Sequence, residues 1–125
     1  MKKLIPVGFY RELTDDPDEQ QELPSITENL SESPLASEDR VISYLSNGIC
    51  LGAKGGYVQD VLDPSSSEPL LPHLYTDGTY LWRLDIVHYV KKYHLRLPQE
   101  FITHMASMNW NPPTKDQVDM DSLEV

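Results

Sequence analysis

The segment Asp77–Phe101, DGTYLWRLDIVHYVKKYHLRLPQEF, carries the strongest structural signals in this chain, and it holds three of the seven tyrosines and two of the four histidines. Asp77-Gly78, flanked by the short apolar runs Leu74–Thr76 and Thr79–Trp82, is a strong local signal for a β-hairpin. We predict a type I′ turn, in which both central residues have positive φ. From Leu84 to Tyr93 the apolar residues follow a helical period. The segment therefore predicts a hairpin followed directly by a helix.

The helix predicted over 84–93 has one polar stripe, formed by Asp85, His88 and Lys92. We expect this stripe to face solvent while the other sides are packed. Pro98 then suits the first position of a second helix, because a proline there loses no helical hydrogen bond. The apolar face of that second helix consists of Phe101, Ile102, Met105 and Met108.

Two elements are predicted near the amino terminus. Leu4–Tyr10 is apolar enough for a first strand, and Pro6 restricts that strand to an edge or an early position. Ser37 can cap a helix that ends at Asn47-Gly48. Its predicted apolar face consists of Val41, Ile42 and Leu45.

A second hairpin is predicted between these elements and the first. The apolar runs Ile49–Ala53 and Tyr57–Leu62 flank Lys54-Gly55-Gly56, which is typical of a turn. Together the elements predict an α+β fold, with a small antiparallel sheet of two hairpins plus an N-terminal strand, packed against about three helices. We assign residues 1–113 to this single domain, including an acidic surface segment at 14–38, and 114–125 to an acidic tail that is flexible or loosely docked.

The net charge of −10 is concentrated at the two ends of the chain. Residues 1–40 contain four Lys/Arg and ten Asp/Glu, residues 41–113 contain five and six, and residues 114–125 contain one and four. A nucleic-acid binder would need a basic stripe, and the sequence contains none. The charge instead favours a basic protein partner, or serves solubility alone.

Other features of the sequence indicate the cellular location of the protein and whether it holds a metal or cofactor. The sequence has one cysteine and no apolar run long enough to span a membrane, so we expect a cytoplasmic protein without disulfides or a membrane segment. No spacing typical of zinc ligands links the four histidines, and we expect no metal or cofactor. The oligomeric state is left open.

An enzyme remains one alternative. His88, His94, Cys50 or Asp60 could form a site assembled by the fold, although we expect Cys50 to be buried in a strand and therefore inert. Another alternative, placed ahead of the enzyme, is a regulatory or structural module that self-associates through exposed aromatic residues.

Several motifs resemble, in the same order, a family of small uncharacterised bacterial proteins. They are GFYREL near the start, PSI at Pro24–Ile26, YLSNG at Tyr44–Gly48, TDGTYLW at Thr76–Trp82 and HYVKKYHLRLPQEF at His88–Phe101. The family pattern reads FYREL, PSI, YLxxG, TDGT(Y/W)xW and YVxxYxxxLPxEF, and it implies no catalytic residue. This chain departs from it in two places. Arg83 stands where the family often has proline, which we expect to loosen the start of the helix, and the acidic insert Asp15–Glu22 is long.

Small acidic bacterial proteins without a chemical motif resemble immunity proteins, which neutralise a cognate toxin by covering its site. That resemblance implies a non-enzymatic binding protein whose acidic loops contact a basic toxin domain. The candidate partner-binding residues are Asp15, Asp16, Asp18, Glu19, Glu22, Asp63, Glu68, Tyr75 and Tyr80.

Overall fold

The computed structural model describes residues 2–14, 16–34, 36–53 and 56–124. Within them the helices are α1 (Pro17–Glu22), α2 (Glu38–Ser46), α3 (Ile86–Tyr93) and α4 (Gln99–Ser107). The strands are β1 (Lys2–Lys3), β2 (Ile5–Pro6), β3 (Ile49–Gly52), β4 (Leu74–Thr76), β5 (Tyr80–Arg83) and β6 (Leu123–Glu124). The α+β fold class is confirmed, with α2, α3 and α4 as the three longer helices.

The main sheet has the strand order β2-β5-β4-β3. Strands β4 and β5 form the predicted antiparallel hairpin around Asp77-Gly78, and β3 pairs antiparallel with β4. Strand β2 lies parallel to β5 at the other edge, so the sheet is mixed. Pro6 is in this edge strand, as predicted, where its missing N–H removes no hydrogen bond from the sheet interior.

The turn of the β4–β5 hairpin is not type I′. Gly78 has φ of 90°, but Asp77 does not adopt positive φ. Its carboxylate Oδ1 instead accepts hydrogen bonds from the amides of Thr79 and Tyr80, at 2.9 and 2.7 Å. The Thr76 hydroxyl donates to the carbonyl of Tyr80 at 2.6 Å. Side-chain hydrogen bonds therefore set the shape of a loop that is longer than two residues.

The second predicted hairpin is wrong. Strand β3 pairs with β4, through Ile49–Thr76 and Cys50–Tyr75, and the run Tyr57–Leu62 joins no strand of the sheet. Val58 is paired with Leu70 in an isolated antiparallel bridge. Lys54 and Gly55 of the predicted turn lie outside the described residues. We call residues 56–73 the anchored loop, because buried side chains fasten it to α3.

The core lies between the main sheet and helices α2, α3 and α4. Trp82 at its centre is fully buried, and its indole ring centroid lies 6.1 Å from that of Tyr44 and 5.6 Å from that of Phe101. Gly48 allows this packing, since a Cβ at that position would lie 2.5 Å from the Trp82 ring. The YLSNG and TDGTYLW motifs thus meet in one packing arrangement.

The predicted helices are confirmed, with small shifts at their ends. Arg83 does not loosen the start of α3. Its guanidinium makes two hydrogen bonds to the Asp85 carboxylate, at 3.1 and 2.7 Å, and a third to the carbonyl of Leu13. A planar guanidinium can serve both partners at once, so Arg83 ties α3 to the chain just before α1.

The acidic C-terminal segment is docked over residues 114–124. It forms two short 3-10 helices, Lys115–Gln117 and Met120–Ser122, and then β6, which pairs parallel with β1. Val118 lies against the hairpin turn, where a Cβ at Gly78 would be 3.1 Å from its methyl groups.

Candidate partner-binding surface

Four of the acidic residues predicted for partner binding lie in or at the cap of one solvent-exposed helix, α1. Asp16 caps α1, its carboxylate accepting the amide of Asp18 at 2.9 Å, and Pro17 follows at the first helical position. Asp16, Asp18, Glu19 and Glu22 are all exposed. Asp15 lies outside the described residues. The local signals that form this helix, a capping Asp followed by Pro, also explain why it forms without burying an apolar face.

The anchored loop carries a second group of acids and is held to α3 by the buried carboxylate of Asp60. Its Oδ2 atom lies 2.7 Å from His88 Nε2 and accepts the hydroxyl of Tyr93 at 2.8 Å. Its Oδ1 atom accepts the amide of Leu62 at 2.8 Å. The loop is thus fixed by side chains of α3, and its conformation is set before any partner arrives.

The charge state of Asp60 follows from these contacts. Burial would raise the pKa of the Asp60 carboxyl, but the hydrogen bonds from His88, Tyr93 and the Leu62 amide outweigh burial and hold the pKa below its ordinary value of 3.8. Lys92 adds a positive charge 3.6 Å away. Asp60 is therefore ionised at neutral pH, and the loop depends on that charge.

The anchored loop also corrects the prediction of a solvated stripe on α3. Asp85 is buried, and the side chain of His88 is only 11% exposed. Lys92 is more open, at 42%. The polar stripe is covered because Asp60 and Glu68 of the loop, and Arg83 before the helix, supply partners for it.

Replacing Asp60 with asparagine should lower the free energy of unfolding by about 1–3 kcal/mol at neutral pH, because a charge-assisted hydrogen-bond network is broken. A carboxyl with a depressed folded-state pKa contributes stability above its unfolded pKa, and loses it as pH falls through the folded value. The difference in the free energy of unfolding between wild type and Asp60→Asn should therefore decrease as pH is lowered below 3.8. Urea denaturation across that range measures it.

Asp63→Asn is the matched control, because Asp63 belongs to the same loop but is 35% exposed and pairs with Lys92 at 3.3 Å. We expect a smaller loss for it, since an exposed pair contributes little. A gap for Asp60→Asn that stays constant at all pH values would contradict the assigned role.

The two loop acids predicted for partner binding differ in how far they are engaged. Asp63 binds Lys92 and accepts both the amide and the hydroxyl of Ser65, at 3.1 and 2.6 Å. Glu68 is more open, with its side chain 63% exposed and one oxygen 3.6 Å from His88 Nδ1. Glu68 is therefore the loop acid best placed to meet another molecule.

The residues proposed for an enzymatic site are only partly brought together. Asp60 and His88 pair, but both ring nitrogens of His88 face carboxylates, those of Asp60 and Glu68. His94, at the left-handed C-cap of α3, lies 2.8 Å from Glu38 of α2. Cys50 is exposed on β3, so its predicted burial is wrong. Across the part of the chain that the structure describes, no three His, Cys, Asp or Glu side chains are grouped to hold a metal.

The two tyrosines predicted for partner binding are less accessible than the acids. Tyr80 is buried at 9% exposure, with its ring centroid 4.6 Å from that of Phe101, so its assignment to a contact surface is wrong. The hairpin places it on the inner face of β5, where α4 covers it. Tyr75 on β4 is half-buried.

Sequence reasoning missed three exposed apolar side chains on the anchored loop. Tyr57 is 70% exposed, Val61 41% and Leu71 37%. The sequence predicts Tyr57 and Val61 in a strand and Leu71 in a loop. The one available signal for their exposure is that apolar side chains in a segment without a strand partner are not all buried. In the structure Leu70 is buried and Val58 half-buried, whereas their neighbours Tyr57 and Leu71 are exposed.

Within the described ranges, no helix is both long and apolar enough to cross a membrane. Comparison with known proteins gives no further assignment. No protein-family model, no curated protein and no solved structure matches this chain.

Proposed function

We propose that this protein is a non-enzymatic binding protein of the bacterial cytoplasm, an immunity protein that neutralises a toxin with a basic surface. The observation that carries the proposal is the exposed acidic helix α1 and its surroundings. Ten acidic residues and no lysine or arginine lie between Arg11 and Arg40. The four described acids of α1 and its cap are all solvent-exposed, so their charge is available to a partner.

The position of α1 adds to this support. Arg83 links Leu13, shortly before α1, to Asp85 at the start of α3, and His88 one turn later holds the anchored loop. Two acidic elements are thus attached to neighbouring turns of one helix. A negative surface of this kind attracts a basic cleft and accelerates encounter with it.

Co-expression tests the proposal. Each product of the genes adjacent to this one would be expressed in a bacterial host with and without this protein, and growth would be measured. We expect one product to be toxic alone and harmless together with this protein, and the two to co-purify. If no adjacent product is toxic, or none is neutralised, the proposal fails.

Neutralising the acids of the α1 segment should slow association with that toxin. The variant carries Asp15→Asn, Asp16→Asn, Asp18→Asn, Glu19→Gln and Glu22→Gln, and asparagine at position 16 can still cap the helix. We expect association at low salt to slow roughly tenfold, with the difference disappearing as salt screens charges beyond ~8–10 Å. The melting temperature of this variant should equal that of wild type, because exposed carboxylates contribute little to stability. Stopped-flow kinetics at several salt concentrations measure the effect.

A charge-matched control separates a local contact from net charge. It neutralises five other acids, one in α4 and four in the C-terminal segment: Glu100, Asp116, Asp119, Asp121 and Glu124. Equal slowing in both variants would show that only the total charge matters, and would remove α1 from the contact surface.

A further inference from the structure

Tyr57 and Leu71 flank an isolated backbone bridge in the anchored loop. Val58 and Leu70 exchange two backbone hydrogen bonds, each 2.9 Å long, which defines an antiparallel pair. Tyr57 and Leu71 flank this bridge, Tyr57 directly before Val58 and Leu71 directly after Leu70, so extended geometry points both side chains to the side opposite those of Val58 and Leu70. The exposures agree with this geometry, since Leu70 is 6% exposed while Tyr57 and Leu71 are 70% and 37% exposed.

This pair sits on a support that does not need to rearrange. The amide of Val61 donates to the Tyr89 hydroxyl at 3.0 Å, and Asp60 is fixed by His88 and Tyr93. An exposed aromatic ring on a preorganised loop loses little conformational freedom when it is covered. Tyrosines in this setting supply much of the binding energy at protein interfaces.

The charge around the pair indicates what would cover it. Along the sequence no lysine or arginine occurs between Lys54 and Arg83, whereas Asp60, Asp63, Glu68 and Asp77 do. Lys92 of α3 is paired with Asp63 and lies 3.6 Å from Asp60. Of these acids, Glu68 has the open side chain, 63% exposed, on the same loop. An apolar pair on the same loop as the open Glu68 carboxylate fits a partner surface that has an apolar pocket near lysine or arginine side chains.

We propose that Tyr57 and Leu71 form the apolar anchor by which this protein grips its toxin, with the acidic helix steering the approach. The inference rests on the proposed function. It assigns the two surfaces different kinetic roles: α1 governs the association rate, and the Tyr57–Leu71 pair governs how long the complex lasts. Charged rims act mainly on association, and buried anchors act mainly on dissociation.

The test uses the full chain and the toxic product of the adjacent gene, purified and immobilised for surface plasmon resonance. The double variant Tyr57→Ser with Leu71→Ser should dissociate at least about tenfold faster than wild type, with its association rate and salt response unchanged. Tyr57→Phe, which keeps the ring, should retain most of the lifetime. Ile5→Ser is the matched control, because Ile5 is 49% exposed on β2 and outside the anchored loop. It should leave the complex unchanged.

The outcomes separate the two proposals. If wild type neutralises the toxin and the double variant dissociates no faster than wild type, the anchor is wrong and the proposed function stands. Equal weakening by Ile5→Ser would also overturn the anchor. If wild type binds none of the adjacent products, both proposals fall. Circular dichroism and a melting curve of each variant establish that it is folded before its kinetics are compared.

Discussion

Replacing Asp77 with alanine is expected to lower the free energy of unfolding by about 3–5 kcal/mol, because a buried, multiply bonded carboxylate is removed. Asp77 is 3% exposed, and its Oδ1 atom accepts the amides of Thr79 and Tyr80. Its Oδ2 atom accepts the hydroxyl of Tyr44 at 2.7 Å and lies 3.1 Å from His104 Nε2. The hairpin turn, α2 and α4 all lose a bond in this variant.

The variant Asp77→Asn keeps the shape of the side chain and removes its negative charge, so it separates the two contributions to stability. Asparagine can keep the two bonds to the turn amides through its carbonyl oxygen, but its NH₂ group cannot accept the Tyr44 hydroxyl. We therefore expect a loss smaller than that of alanine, with the hairpin retained. Urea denaturation followed by circular dichroism measures both variants, and a loss below about 1 kcal/mol for alanine would contradict the role of Asp77.

Trp82→Ala is expected to cost about 3–5 kcal/mol, since it removes the largest buried side chain and leaves a cavity that the core can only partly fill. Trp82 is fully buried, and its indole Nε1 donates to the carbonyl of Leu45 at 3.1 Å. That carbonyl lies in the last turn of α2, so the variant also loses a cap of the helix. The melting temperature and the cooperativity of unfolding measure the effect.

Trp110 provides the internal control, as the other tryptophan of the chain and a half-buried one. Trp110→Ala should cost much less than Trp82→Ala, because solvent already reaches its ring. Similar losses for the two variants would mean that Trp82 is not the centre of the core. Trp82→Phe should fall between the two, because it keeps an aromatic ring but loses the bond to Leu45.

The elements with strong local signals were predictable from the sequence. The Asp77-Gly78 hairpin, the change to helical period after Leu84 and the helix before Asn47-Gly48 are each specified by residues close in sequence. The exposure of Asp16, Asp18, Glu19 and Glu22 was predictable too, because a segment with so few apolar residues has little to bury.

The wrong predictions concern features that depend on contacts with other parts of the chain. Alternating apolar residues identify a strand but not its partner, so Ile49–Gly52 gave no sign that it pairs with β4 and not with Tyr57–Leu62. The stripe on α3 looked solvated because its partner Asp60 lies 28 residues before His88. The prediction of a type I′ turn was wrong because the Asp77 side chain closes the loop by accepting hydrogen bonds from the amides of Thr79 and Tyr80.

The pairings of residues 2–6 bear on the order in which the chain can fold. Lys2 is paired with Leu123, and Ile5 with Tyr80, so both contacts close loops that span much of the chain. Closing such loops costs entropy that short-range contacts avoid, and folding slows as more contacts are distant in sequence. The β4–β5 hairpin and the helices after it can form from neighbouring residues, whereas β1 and β2 must wait for their partners. During synthesis β1 and β2 are therefore made well before the strands with which they pair.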